Sequence, residues 1–142
     1  MSERLEPVSE VRLDIRVPPK PWVVAHVRQA FRELALPPVL LDDALQLVNE
    51  LVTNSIRHAG LGSDDRIRVL AALSEGRLRV DVFDRAEATV PHSVAGAIRP
   101  LPGAESGWGL YLVDRLASRW GHGRGRYWFE LEFHDAPDPR GA

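Results

Sequence analysis

The order of periodic segments predicts an α+β protein: a two-layer sandwich, with a mixed sheet carrying its helices on one face. Three observations lead there. Period-two runs near 11–17, 67–71 and 78–82, with the run 127–133, read as strands, and three apolar stripes at helical spacing fill two of the three intervals between them. The resulting order is strand, helix, helix, hairpin, long loop, helix, strand. Helices gathered in this way, rather than alternating one by one with strands, suit a sheet covered on one side. The 142 residues, 44% hydrophobic and 27% charged, suffice for one core of ordinary globular composition. No repeat or boundary divides them, so the chain reads as a single domain, 1–142, with its core at about 11–134.

The elements follow in order. Residues 1–9 read as a frayed lead-in. Val11, Leu13, Ile15 and Val17 alternate with Arg12, Asp14 and Arg16, the pattern of a half-buried strand. Pro18, Pro19 and Pro21 end it. A helix begins near Trp22, with Val24, Val27, Phe31 and Leu34 as its apolar stripe. Pro37 and Pro38 break that helix and open the next, whose first turns carry Asp42 and Asp43, a charge that suits the dipole. Gly60 sits where a helix stop is expected. Ile67, Val69 and Ala71, then Leu78, Val80 and Val82, give a hairpin about Ser74-Glu75-Gly76. Residues 85–106 show no period, and a loop of that length in a compact domain is usually functional or disordered. Leu110, Val113, Leu116 and Ala117 mark a third helix, expected to end at Trp120-Gly121. Gly123 and Gly125 turn the chain, Tyr127–Phe133 forms a last strand, and a polar tail follows.

Composition narrows the function. A formal net charge of -2 gives no case for direct nucleic-acid binding. With no Cys there is no disulfide, thiol nucleophile or thiolate metal site. No apolar run approaches a membrane span and the N-terminus lacks a signal-peptide core, so a cytoplasmic location without membrane contact is expected. Lys20 is the only lysine, so a phosphate held near the motifs below would meet Arg, a metal ion or backbone N–H.

Leu47–Gly60, LVNELVTNSIRHAG, organises the chain. At about 100° per residue, Ala44, Val48, Val52, Ile56 and Ala59 share one side, and Glu50, Asn54, Arg57 and His58 the other. Glu50 and Asn54 are one turn apart and reach into the same space. A carboxylate can take a proton there, and a carboxamide oxygen can serve a hard cation such as Mg²⁺. A solvated helix face has the same pattern. Asp84, where the second hairpin strand ends, can accept a hydrogen bond from the exocyclic amino group of adenine, or act as an ordinary turn residue. Ser106-Gly107-Trp108-Gly109-Leu110 opens the third helix, where glycines let free amides approach a phosphate. Trp108 would shield the bound group or close the pocket. The intervening loop would act as a lid, with Arg99 a candidate phosphate contact.

Together these pieces resemble the GHKL ATP-binding superfamily, whose fold is the Bergerat-type sandwich. NELVTNSIRHAG is similar to its N-box, VDVFD to the strand before its adenine-reading Asp, and GWGLYLVDRLASRWG to its second glycine box and helix. RYWFELEF resembles the final strand of the stand-alone anti-sigma-factor serine/threonine kinase branch. The resemblance implies ATP and Mg²⁺ as cofactors and Glu50 as general base. It implies Asn54 as the magnesium ligand and Asp84 as adenine reader, with amides around Gly107 and Gly109 on the phosphates. His58, Trp108 and Leu110 complete the implied nucleotide-binding set. The implied partners are a sigma factor and an anti-anti-sigma protein that is phosphorylated; a non-catalytic, ATP-dependent protein-binding switch is the alternative. One departure stands out: the family's first glycine box is Asp-x-Gly-x-Gly, and here Asp84 is followed by Ala86 and Ala88. An edge at Val11–Val17 is a candidate surface for a homodimer.

Overall fold

The structure, a computed structural model, describes residues 10–58, 60–84, 108–123 and 125–134. Five strands and three helices follow one another: β1 (Glu10–Val17), α1 (Val23–Arg32), α2 (Pro38–His58), β2 (Ile67–Ser74), β3 (Arg77–Phe83), α3 (Trp108–Leu116), β4 (Arg119–Gly123) and β5 (Arg126–Glu132). They form one sheet in the order β1-β2-β3-β5-β4, with β1 at one edge as its pattern suggests.

The α+β sandwich is as expected; the mixed sheet is not, since all four pairings are antiparallel. The reason lies in β4, which the sequence reading absorbed into the third helix. That helix stops at Leu116, and Arg119–Gly123, with Gly123 inside it, is a strand. Reading one helix between β3 and the last strand makes the two parallel, as in any single crossover. With β4 inserted, the chain reverses once more and β5 enters between β3 and β4, antiparallel to both. Two helices between β1 and β2 likewise return the chain antiparallel.

Register assigns the two faces. Val17, Ile67, Val69, Ala71, Leu78, Val80, Val82, Phe129 and Leu131 are buried on the face under the helices. The helices meet that face with Val23, Val27 and Phe31 of α1, with Leu40, Ala44, Leu47, Val48, Leu51 and Val52 of α2, and with Val113 of α3. Val23, not Val24, starts the α1 stripe: the helix begins at Val23, and Val24 is only partly buried. Each fully buried aliphatic or Phe side chain contributes about 1.5–3 kcal/mol by leaving water. The other face is polar. Arg79 lies 4.1 Å over the Trp128 ring and pairs with Asp81 (3.1 Å) and Glu130 (3.3 Å), which shields both carboxylates from water.

The connectivity brings eight chain ends to one end of the sandwich. β1, β3 and β4 finish there, β2 and β5 start there, α2 ends there, and α1 and α3 start there. The hydrogen bond from Trp120 Nε1 to Asp114 Oδ1, 2.9 Å, ties β4 back against the α3 that precedes it.

Candidate nucleotide site

Helix α2 crosses the middle of the helical layer, packing on α1 along one flank and on α3 along the other. Its deepest residues, Ala44, Leu47, Val48, Leu51, Val52 and Ser55, turn to the sheet. That wide stripe leaves Glu50 and Asn54 at its border, both half-buried and one turn apart as their spacing requires. Burial pushes the Glu50 carboxyl above its ordinary range, against a hydrogen bond from the Asn49 side chain and the positive charge of Arg57, which pull it down. Burial wins, which places this carboxyl closer to the range of a working base. Sequence reasoning put Arg57 on this face but missed Asn49. The signal was an amide adjoining the acid, a spacing that a helical wheel discounts.

Asp84 follows the last residue of β3, at the end where α2 finishes and α3 begins. Its backbone N–H donates to the Gly125 carbonyl at 2.7 Å, so the turn between β4 and β5 fixes the chain as it leaves the sheet. Gly125 is buried at φ 64°, a conformation that favours glycine. Tyr127, opposite Val82 on one side and His122 on the other, faces the helical layer beside Asp84. Burial raises its phenol, and the Asp84 charge raises it further. The His122 ring stacks 5.6 Å from Tyr127 and 6.3 Å from Trp120. Trp120, His122 and Tyr127 form no motif in the sequence: Trp120 reads there as the end of a helix, and only the pairing of β4 with β5 brings the three rings together.

Leu110, in the first turns of α3, is half-buried against the core. Trp108 and Gly109 form the start of α3 and His58 the end of α2. The side chains at 58, 108 and 109, together with Gly107, Ala86, Ala88 and Arg99, lie outside the described residues. A cavity of about 230 Å³ lies at the same end between α1 and α2, lined by Pro21, Val24, Thr53, Ile56 and Arg57. It is on the α1 flank and is smaller than the ~300–1,000 Å³ typical of ligand pockets.

A half-buried acid and amide on the C-terminal half of α2, a carboxylate just past β3 and the start of α3 lie toward one end of the sandwich, an order of parts that fits a nucleotide-binding sandwich of the histidine-kinase type. The chain belongs to the histidine kinase-like ATPase domain family, whose pattern it matches over residues 17–125. ATP is the ligand that this membership implies. The chain is also similar to a solved structure of the RsbU and RsbW domains of Rv1364c from Mycobacterium tuberculosis, at 25% identity and a TM-score of 0.57. The likeness covers 84% of this chain and 31% of the other, so this chain spans about a third of that protein. No curated protein matches it.

Proposed function

We propose that this protein is an ATP-binding regulator of the anti-sigma-factor type, acting as a serine/threonine protein kinase on an anti-anti-sigma partner and also binding a sigma factor. The observation that carries the reading is the pair on α2: Glu50 and Asn54, both half-buried and one turn apart, on the helix that packs against α3, with burial pushing the Glu50 carboxyl up. The likeness to a chain containing an RsbW domain supports the regulatory class.

Each residue has a task in this reading. Asp84 accepts a hydrogen bond from the adenine amino group. Free amides at the start of α3, around Gly107 and Gly109, hold phosphate oxygens. Trp108 and Leu110 border the bound nucleotide, and His58 lies near its phosphates. Glu50 takes the proton from the attacking Ser or Thr hydroxyl; that oxygen bonds to the γ-phosphorus, and the bond to the bridging oxygen of ADP breaks. Asn54 offers one carboxamide oxygen to Mg²⁺. Among the described residues no three acidic or histidine side chains cluster to hold a metal by themselves. One amide oxygen would therefore hold such an ion only together with ligands from elsewhere, and the ion would supply neutralisation of phosphate charge. The absence of glycine at Ala86 and Ala88 favours a second reading, in which ATP orders a protein-binding surface without phosphate transfer.

The test is phosphate transfer from Mg-ATP to the cognate partner. Transfer that disappears in Glu50→Ala while ATP binding persists is the expected result. ATP-dependent partner binding with no transfer in the unaltered protein would establish the switch instead. Asn54→Ala should remove the magnesium dependence of ATP binding; undiminished dependence in a calorimetric titration would end the ligand assignment.

A further inference from the structure

We infer that the β4–β5 turn aims Asp84 and that Gly125 is a positioning residue for base selection. The inference rests on the reading of Asp84 as the base-reading carboxylate. Gly125 is the point of closest approach: a Cβ built there would lie 2.6 Å from the Asp84 carbonyl oxygen and 3.5 Å from Oδ1. The first distance is inside van der Waals contact, so any side chain at this position displaces Asp84. The Asp84 N–H to Gly125 carbonyl bond, 2.7 Å, locks the same two residues from the other direction. Neither contact depends on phosphates or on α2. The turn therefore controls the adenine end of the site separately from the triphosphate end.

Tyr127 supports the placement. It lies two residues beyond Gly125 on the helix-facing side, and its phenol senses the Asp84 charge. His122 backs its ring. The hairpin thus presents a glycine against the Asp84 backbone and an aromatic ring beside its carboxylate.

The experiment compares ATP with inosine triphosphate, which has an oxo group where adenine carries its amino donor. The variants are Gly125→Ala, Gly125→Asn, Asp84→Asn and the double variant Gly125→Asn with Asp84→Asn. Asn tolerates positive φ, so Gly125→Asn relieves backbone strain yet keeps the obstructing Cβ. The unaltered protein should prefer ATP, and each Gly125 variant should weaken ATP about tenfold or more, as expected for loss of one charged hydrogen bond. Inosine triphosphate should change about twofold or less, since triphosphate contacts are shared. Gly125→Asn should add nothing to Asp84→Asn, the non-additivity of residues acting as one unit. An ATP preference kept in both Gly125 variants, or full additivity in the double variant, overturns the positioning role. No ATP preference in the unaltered protein, or one untouched by Asp84→Asn, removes the underlying reading of Asp84 instead.

Discussion

At Glu50 the helix sets a carboxylate between opposing influences. Partial burial favours the protonated acid, while Asn49 and Arg57 favour the anion, and the balance falls to the acid. The sign of the stability effect follows. A carboxyl whose folded-state value is raised binds its proton more firmly when folded, so stability falls as pH rises from the ordinary glutamate range through the raised one. Above that window the folded protein carries a partly buried anion at a cost. Glu50→Gln removes this cost while keeping the shape and the hydrogen-bonding reach. Thermal unfolding of Glu50→Gln at neutral pH should therefore occur at the same temperature as the parent or higher. Its melting temperature should also fall less than the parent's as pH rises from acid. Phosphate transfer should be lost in the same variant. A clear drop in neutral melting temperature would mean that the carboxylate has a structural ion pair, not a functional exposure. Stability given up at a working group is a common pattern at such sites.

Among the elements, α2 was legible and β4 was not. The α2 stripe is long, strongly periodic, bounded by Pro38 and followed by Gly60 at φ 63°, so length, faces and stop agree. Its buried face proved wider than a single stripe, because α2 is flanked by both other helices as well as covering the sheet. β4 reads RWGHG, five residues with two glycines and no β-branched side chain. Glycine weakens a strand and usually signals a stop, so the reading ended a helix there. The physical reason for Gly121 is a close approach: a Cβ there would lie 2.8–2.9 Å from the Trp128 indole across the strand pair. That indole in turn carries Arg79, which screens Asp81 and Glu130. Gly121→Ala should therefore shift Trp128 and loosen the Arg79 stack, destabilising the fold by roughly 1–3 kcal/mol, as overpacking generally does. Denaturant unfolding measures the loss, and the Trp128 indole N–H signal should move with it. An unchanged midpoint would show that Trp128 shifts without strain. The site followed the same rule of legibility. Glu50, Asn54 and Asp84 stand in local patterns, whereas the link from Gly125 and Tyr127 to Asp84 is made only across the sheet.

For the whole molecule, the candidate site joins parts that are distant in sequence but share one core. Glu50 and Asn54 stand on a helix whose other faces are buried on β3 and β5; Asp84 extends β3; α3 packs on α2. No part can leave its position without disturbing residues that the others rest on, such as Val48, Val80, Val113 and Phe129, all fully buried. A ligand spanning these parts binds the folded chain and finds no equivalent in the unfolded one. It must then stabilise the entire domain by mass action, and the gain grows by about 1.4 kcal/mol for each tenfold rise in ATP beyond its dissociation constant. The melting temperature should accordingly climb with the logarithm of ATP concentration when magnesium is present. Asp84→Asn should move the onset of that climb to higher ATP, and Asn54→Ala should make it insensitive to magnesium. Amide exchange gives a sharper form of the same expectation: ATP should slow exchange in α2 and β3 together, since both are held by one core. Protection confined to one of them would mean that the ligand touches a single element. A melting temperature indifferent to ATP up to millimolar concentrations would leave the convergence of these groups at one end of the sandwich without a ligand to explain it.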